Sequence, residues 1–253
     1  MDRDYSLNGD VIFLSDTHGN CQHDATVNAA LSWVDRHKPR FRIMAGDFVD
    51  LAAMRTGASE AERAVALQDD LDHGWALMEA FRPTAMLLGN HCWRPWMWLG
   101  STRMEQRELG QRLIDDWRER FAKIGTTVYP YHAEQGVARL TPNLVVLHGY
   151  HAGLHAAYKL AQHYADPDGY AIMGHVHSKA VGTFARHPAA ATGITLPCAC
   201  DRSKLPYIAR AVGSLRWDVG FMTGRIVDGL FDASWTWHIT ESEEPRGGRP
   251  LWT

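Results

Sequence analysis

The chain has 253 residues, 45% hydrophobic and 22% charged, with a formal charge of -3. That balance is ordinary for a globular domain and argues against disorder, while the slight acidity leaves no basic coat for non-specific nucleic-acid binding. No uninterrupted apolar run approaches a membrane span and Met1 to Asp10 has no apolar signal core, so the expectation is a cytoplasmic domain over residues 1–240 with a polar tail over 241–253.

In chain order, Val11 to Leu14 is a short apolar run that stops at Asp16, His18 and Gly19. Such a run suits a strand buried on both faces, and it delivers its last side chains at the carboxyl edge of a sheet. Val27, Leu31 and Val34 then follow a helical spacing from about Asp24 to His37, with Asp24 as a candidate cap. Phe41 to Ala45 is a second apolar run and ends in Gly46-Asp47-Phe48-Val49-Asp50. Ala64, Leu67, Leu71 and Met78 indicate a helix from about Ser59 to Phe81, weakened by about 1 kcal/mol at Gly74.

A third run, Thr84 to Leu88, stops at Gly89-Asn90-His91-Cys92, and an aromatic stretch with Trp93, Trp96 and Trp98 follows. A helix is expected from Met104 to Ile124, stopped by Gly125. Strand-like pieces come next at Thr127 to His132, Val137 to Leu140 and Asn143 to Leu147, the last running into His148-Gly149. After a helix from about Gly153 to Tyr164, a fifth run, Tyr170 to Met173, ends in Gly174-His175-Val176-His177. Beyond it, Val181 to Ala185, Tyr207 to Val212, Phe221 to Val227 and Ser234 to Ile239 look like short antiparallel strands.

Fourteen histidines are the outlying number in the composition, since imidazole is the commonest metal ligand. Asp16, His18, Asp47, Asp50, Asn90, His91, His148, His175 and His177 all stand at strand ends. Carboxylate, amide oxygen and imidazole together suit intermediate cations such as Mn2+, Fe2+ or Zn2+, and the set is too large for one ion. Cys198 and Cys200 could share a soft ion, but no second Cys or His pair stands beside them, so reduced thiols are the preferred reading. The simplest role for His151 and His155 is a helix face or cap. Asp201 and Arg202 fall in a late loop that could return over the site.

The order D-x-H, G-D-x-x-D, G-N-H, H-G, G-H-x-H resembles the calcineurin-type metallophosphoesterase superfamily over Asp16 to His177. The resemblance implies a four-layer αββα sandwich, two mixed β-sheets flanked by helices. It also implies two divalent transition-metal ions, Mn2+ foremost and Fe, Zn or Ni as alternatives. Carried over by motif, Asp16, His18, Asp47 and His177 hold one ion, and Asp47, Asn90, His148 and His175 hold the other. His91 is then not a ligand; it faces the substrate and assists the leaving oxygen, and Asp50 orients it. A bridging hydroxide, acidified by the two cations, attacks phosphorus in line.

Cys92 departs from the pattern, standing where many members carry Asp or Glu, and is read as a packed side chain. Leu51-Ala52 replaces the Arg-Gly of protein phosphatases. Arg94, three after His91, is a candidate phosphate contact, with Trp93 and Trp96 as candidate substrate contacts; packing is the competing reading for the tryptophans. The implied activity is hydrolysis of a phosphomonoester or phosphodiester. Two alternatives stay open: a nuclease or nucleotide phosphodiesterase, and a non-catalytic scaffold of the same fold. The sequence does not name the substrate, the partner nucleotide or nucleic acid, or the oligomeric state.

Overall fold

The computed structural model describes residues 5–55, 57–58, 60, 66–205 and 217–242. Four strands, β1 (Gly9–Leu14), β2 (Phe41–Met44), β3 (Ala85–Leu87) and β4 (Thr127–Tyr129), lie parallel in that spatial order. On the free side of β1 runs the antiparallel strand β10 (Asp218–Val227), and its far edge pairs with β11 (Leu230–Phe231) and β12 (Thr236–Ser242). The second sheet has the order β5 (Ala138–Thr141), β6 (Leu144–Leu147), β7 (Tyr170–Met173), β9 (Ala189–Thr195), β8 (Ala180–Arg186), with β6, β7 and β9 parallel.

Alternation along each strand makes the layers. Ile12 and Leu14 of β1 pack outward with Val27 of α1 (Asp24–His37), Met78 and Phe81 of α2 (Leu67–Phe81) and, beyond the short α3 (Arg94–Trp98), Trp117 of α4 (Met104–Ile124). Val11 and Phe13 point the other way, into a core shared with Leu144, Val146, Ile172 and Ile194 of the second sheet. The outer face of that sheet is covered by α5 (Ala156–Tyr164), through Leu160 and Ala161 against Val145, Leu147 and Ala171. The result is the expected helix–sheet–sheet–helix sandwich. Burial on both faces explains why β3, β6, β7 and the Val11–Leu14 part of β1 read as unbroken apolar runs, while β2 is interrupted by Arg42, which reaches Arg82 O at 2.7 Å.

Several elements differ from the sequence reading. The helix expected from Ser59 begins at Leu67, with Ala66 extended before it; Ser59 and Ala64 lie outside the described residues. Asp24 does not cap α1: the cap is His23, whose Nδ1 accepts the amide of Thr26. The helix expected from Gly153 starts at Ala156. Strand β9 has no counterpart in the sequence reading because its residues, Ala-Ala-Ala-Thr-Gly-Ile-Thr, are selected for smallness and not for strand propensity. A Cβ on Gly193 would stand 2.0 Å from the carbonyl oxygen of Ala157, so α5 can lie on β9 only if the strand is thin. Residues Tyr207 to Val212 lie outside the described residues. β12 continues to Ser242, two residues into the expected tail, and 243–253 are likewise outside.

Candidate metal centre

The parallel strands of both sheets deliver the candidate ligands to one place. Asp16 and His18 follow β1, Asp47 follows β2, Asn90 follows β3, His148 follows β6, and His175 and His177 follow β7. Five of these seven, Asp16, His18, Asp47, His175 and His177, adopt positive φ between 47° and 69°. For residues with a Cβ this conformation costs about 1 to 2 kcal/mol each, and its concentration here makes the candidate ligands a cluster of strained turns. Interstrand backbone bonds hold it: the Asp16 amide donates to Gly46 O at 3.0 Å and the His18 amide to Asp47 O at 2.9 Å. Gly89 precedes Asn90 because a Cβ there would lie 2.2 Å from Asp47 Oδ1.

Asp16, Asp47 and His148 form one knot, their ligand atoms all within 4.8 Å of one another. The two carboxylates are 0% and 1% exposed. His148 Nδ1 lies 2.9 Å from Ala45 O, the position of a donated N–H. Its Nε2 then faces two oxygens, Asp47 Oδ2 at 3.2 Å and Asn90 Oδ1 at 3.2 Å, and His175 Nδ1 reaches the same amide oxygen at 3.0 Å. On the other side, His177 Nε2 is 3.1 Å from Asp16 Oδ1 and 3.3 Å from His18 Nε2. His177 Nδ1 is buried with no hydrogen-bond partner among the described residues. Buried carboxylates crowded together and ring nitrogens turned toward acceptors or toward each other are a donor set that fits cations between them.

The electrostatics agree. Burial works to raise the Asp16 carboxyl, but the charge and hydrogen bond of His177 outweigh it and hold the group below the usual carboxylate range. Asp47 is held well below that range in the same way, burial being overcome chiefly by His148 and then His91. His148 pays for burial in the opposite sense and is nevertheless pushed up to about 9 by the charge and hydrogen bond of Asp47. His175 is lowered to about 4 by burial and by the neighbouring His148.

Beside this knot Asp50 joins two histidines with one oxygen: Oδ1 is 2.8 Å from His18 Nδ1 and 2.8 Å from His91 Nδ1. The sequence reading paired Asp50 with His91 only. Burial works to raise the Asp50 carboxyl, and the hydrogen bonds and charges of His18 and His91 together outweigh it and hold the group below the usual carboxylate range. Asp70 is a further functional-looking residue that the sequence did not single out. Almost fully buried, it accepts the amides of Asp50 at 3.0 Å and Leu51 at 2.6 Å and so fixes the Asp50 turn. No motif flags it, because its role arises only when α2 packs against that turn.

The other candidates fall as follows. Arg94 is buried, donates to the backbone oxygen of Asp50, and borders an open cleft of about 880 Å³ that also meets Asn90, Arg55, Trp98 and Arg103. Trp93 and Trp96 stack on each other at 4.7 Å, and Trp96 meets Trp117 edge-on at 6.0 Å. Neither borders that cleft; Trp98 does, with its indole N–H donated to Met54 O at 3.0 Å. Cys92 is fully buried in the main core, its thiol pushed well above the usual range by burial and by Asp47. His155 is the N-cap residue of α5, and His151 stacks on His163. Asp201 caps a 3-10 turn by accepting the Ser203 amide at 2.8 Å. A second cleft, of about 520 Å³, opens at His175 between Leu154, Lys179 and Trp217.

The sequence profile of the calcineurin-like phosphoesterases matches residues 9–179. The chain belongs to this family. No curated protein matches it significantly. Among solved structures, this calcineurin-like phosphoesterase is similar to a metallophosphoesterase from Sphaerobacter thermophilus at 14% identity, over 92% of this chain and 88% of that one, with TM-score 0.47. It is also similar to the Pseudomonas putida nuclease MPE at 15% identity, over 76% and 75%, with TM-score 0.34. A Vps29 single mutant from Entamoeba histolytica gives 12% identity over 90% and 99%, with TM-score 0.41. At these TM-scores none of the three bears on the chemistry of this chain. Among the described residues no helix is long and apolar enough to cross a membrane.

Proposed function

We propose that this phosphoesterase-family chain is a catalytically competent dinuclear metal hydrolase, its sandwich acting as one domain. The observation that carries the reading is the buried knot of Asp16, Asp47 and His148, flanked by His18, His177, Asn90 and His175, with His91 held beside it by Asp50. Asp47 would serve both ions; Asp16, His18 and His177 would complete one side, and Asn90, His148 and His175 the other. Such ions, Mn2+ first with Fe, Zn or Ni as alternatives, acidify a water and neutralise phosphoryl charge when bound. Every ligand position of the motif set is filled, which disfavours the scaffold reading.

The chain's own groups then divide the work. His91 is tied through Nδ1 to Asp50, which leaves Nε2 as the nitrogen to protonate a departing oxygen. Asp50, through the same oxygen, also orients His18. Two clefts open beside the knot, one at Asn90 carrying Arg55, Arg94 and Arg103, the other at His175 beside Trp217. Two clefts adjoining the ligand set leave room for a substituent beyond the reacting group, which supports a phosphodiester over a compact monoester, and the arginines favour a nucleotide or nucleic-acid chain as the second reading. A screen of the metal-loaded protein on phosphomonoesters, cyclic and linear phosphodiesters and single-stranded DNA tests this. Diester hydrolysis is expected to dominate, and turnover of monoesters alone would reverse the diester preference.

A further inference from the structure

We propose that Cys200 supplies a sulfur ligand to the ion on the Asp16, His18 and His177 side, making the two halves of the centre chemically unlike. The inference rests on the dinuclear reading above, and it adds a residue outside the matched motifs. The Cys200 sulfur, a ring nitrogen of His18 and a ring nitrogen of His177 lie within 4.8 Å of one another, and all three residues are buried. His177, only 5% exposed, still has a ring nitrogen without a partner among the described residues.

The position of Cys200 is built and not incidental. Ala199 donates its amide to Ser15 O at 2.9 Å, next to Asp16, and accepts the amide of His23 at 2.8 Å. Asp201 donates to Cys21 O at 2.7 Å, and Cys200 itself bridges Gln22. The segment is thus pinned between the end of β1 and the turn that carries His18, on the buried side of the site. Cys198, two residues earlier, donates its thiol to backbone oxygens, Asp218 O at 3.5 Å and Cys200 O at 3.9 Å, and also meets the Cys200 side chain, which is why both cysteines enter the test.

Ligation converts the Cys200 thiol to thiolate: the S–H proton leaves to solvent, a sulfur–metal bond forms, and no electron is transferred. Thiolate with two imidazoles, the Asp16 carboxylate and the shared Asp47 selects a thiophilic ion such as Zn2+, whereas the Asn90, Asp47, His148 and His175 half, without sulfur, suits Mn2+. A centre with one zinc-preferring and one manganese-preferring half follows from that difference in donors.

Cobalt titration of the metal-stripped full-length protein reads this directly, because cobalt bound to thiolate gives an intense near-ultraviolet charge-transfer band. The band is expected in the wild type and in Cys198→Ser and is expected to vanish in Cys200→Ser. Zinc affinity in Cys200→Ser should fall about tenfold or more, at least what loss of an outer-shell partner costs. Two cobalt ions bound without the band, or a band that survives Cys200→Ser, would overturn the sulfur ligand while leaving the dinuclear reading intact. Absence of cobalt binding would overturn both. Should Cys200→Ser fail to fold, X-ray absorption of the wild-type zinc protein decides: a sulfur shell at about 2.3 Å is expected, and a shell of nitrogen and oxygen alone overturns the proposal.

Discussion

In the proposed reading, Asp50 and His91 separate positioning from ligation. His91→Ala is expected to keep its metals and lose rate by about a hundredfold or more on alkyl leaving groups, and much less on nitrophenolate, which needs little protonation. Asp50→Asn should behave differently from a pure His91 partner, since the same oxygen holds His18 at 2.8 Å. That variant should lose rate and also bind metal more weakly, and unchanged metal affinity would show that His18 does not depend on Asp50. His148 gives a pH dependence. Its pKa in the metal-free fold is raised from 6.5 to about 9, so the protonated ring's pairing with Asp47 stabilises that fold below pH 6.5 and is lost as pH rises through about 9. The proton must leave when the ring ligates, so metal affinity should weaken as pH falls below about 9. Calorimetry at pH 7 in buffers of different ionisation enthalpy should show release of at least about one proton per protein, and zero release would contradict the assignment.

Elements show what could be read from sequence and what could not. Strands β1, β2, β3, β6 and β7 were legible because burial on both faces leaves mostly apolar residues, Asp10 and Arg42 standing in the less buried first halves of β1 and β2, and the polar residues that close them are the candidate ligands. Met104–Ile124 was legible to its ends because Leu113, Trp117 and Phe121 keep helical spacing and Gly125 takes φ 74° after it. β9 was hidden because contact with α5 demands small side chains. Asp70 was hidden, and Cys200 was set aside as a reduced thiol, because only tertiary packing brings α2 and the segment after β9 to the site. Gly74 illustrates the same conflict within a helix: a Cβ there would stand 2.5 Å from Val49 Cγ1 and 3.0 Å from Phe48 O. Gly74→Ala should therefore lower the melting temperature, although helix propensity alone would raise stability by about 1 kcal/mol. A higher melting temperature would mean that α2 can retreat from the Phe48–Val49 turn. Trp96, stacked on Trp93 and meeting Trp117, should likewise act through stability: Trp96→Ala is expected to cost about 2 kcal/mol or more and to reduce activity equally on all substrates. A selective rise in KM for nucleotide substrates would instead place Trp96 in substrate binding.

For the whole molecule, the candidate ligands span both sheets, Asp16, Asp47 and Asn90 from one and His148, His175 and His177 from the other. Bound ions would tie the two sheets together at their common edge. At a free ion concentration of about a hundred times Kd, one such site adds about 2.7 kcal/mol, which for a chain of this size corresponds to about 5 to 10 °C in melting temperature. Chelation should remove that increment, and an unchanged melting temperature would argue against a site linking the sheets. The most direct test of the centre itself is elemental analysis of wild type and Asp47→Asn, with phosphodiester hydrolysis measured on the same samples. The wild type should hold about two transition-metal ions per chain, and Asp47→Asn should lose metal and hydrolysis together; full hydrolysis in Asp47→Asn, or in wild-type protein stripped of metal, would contradict the dinuclear account.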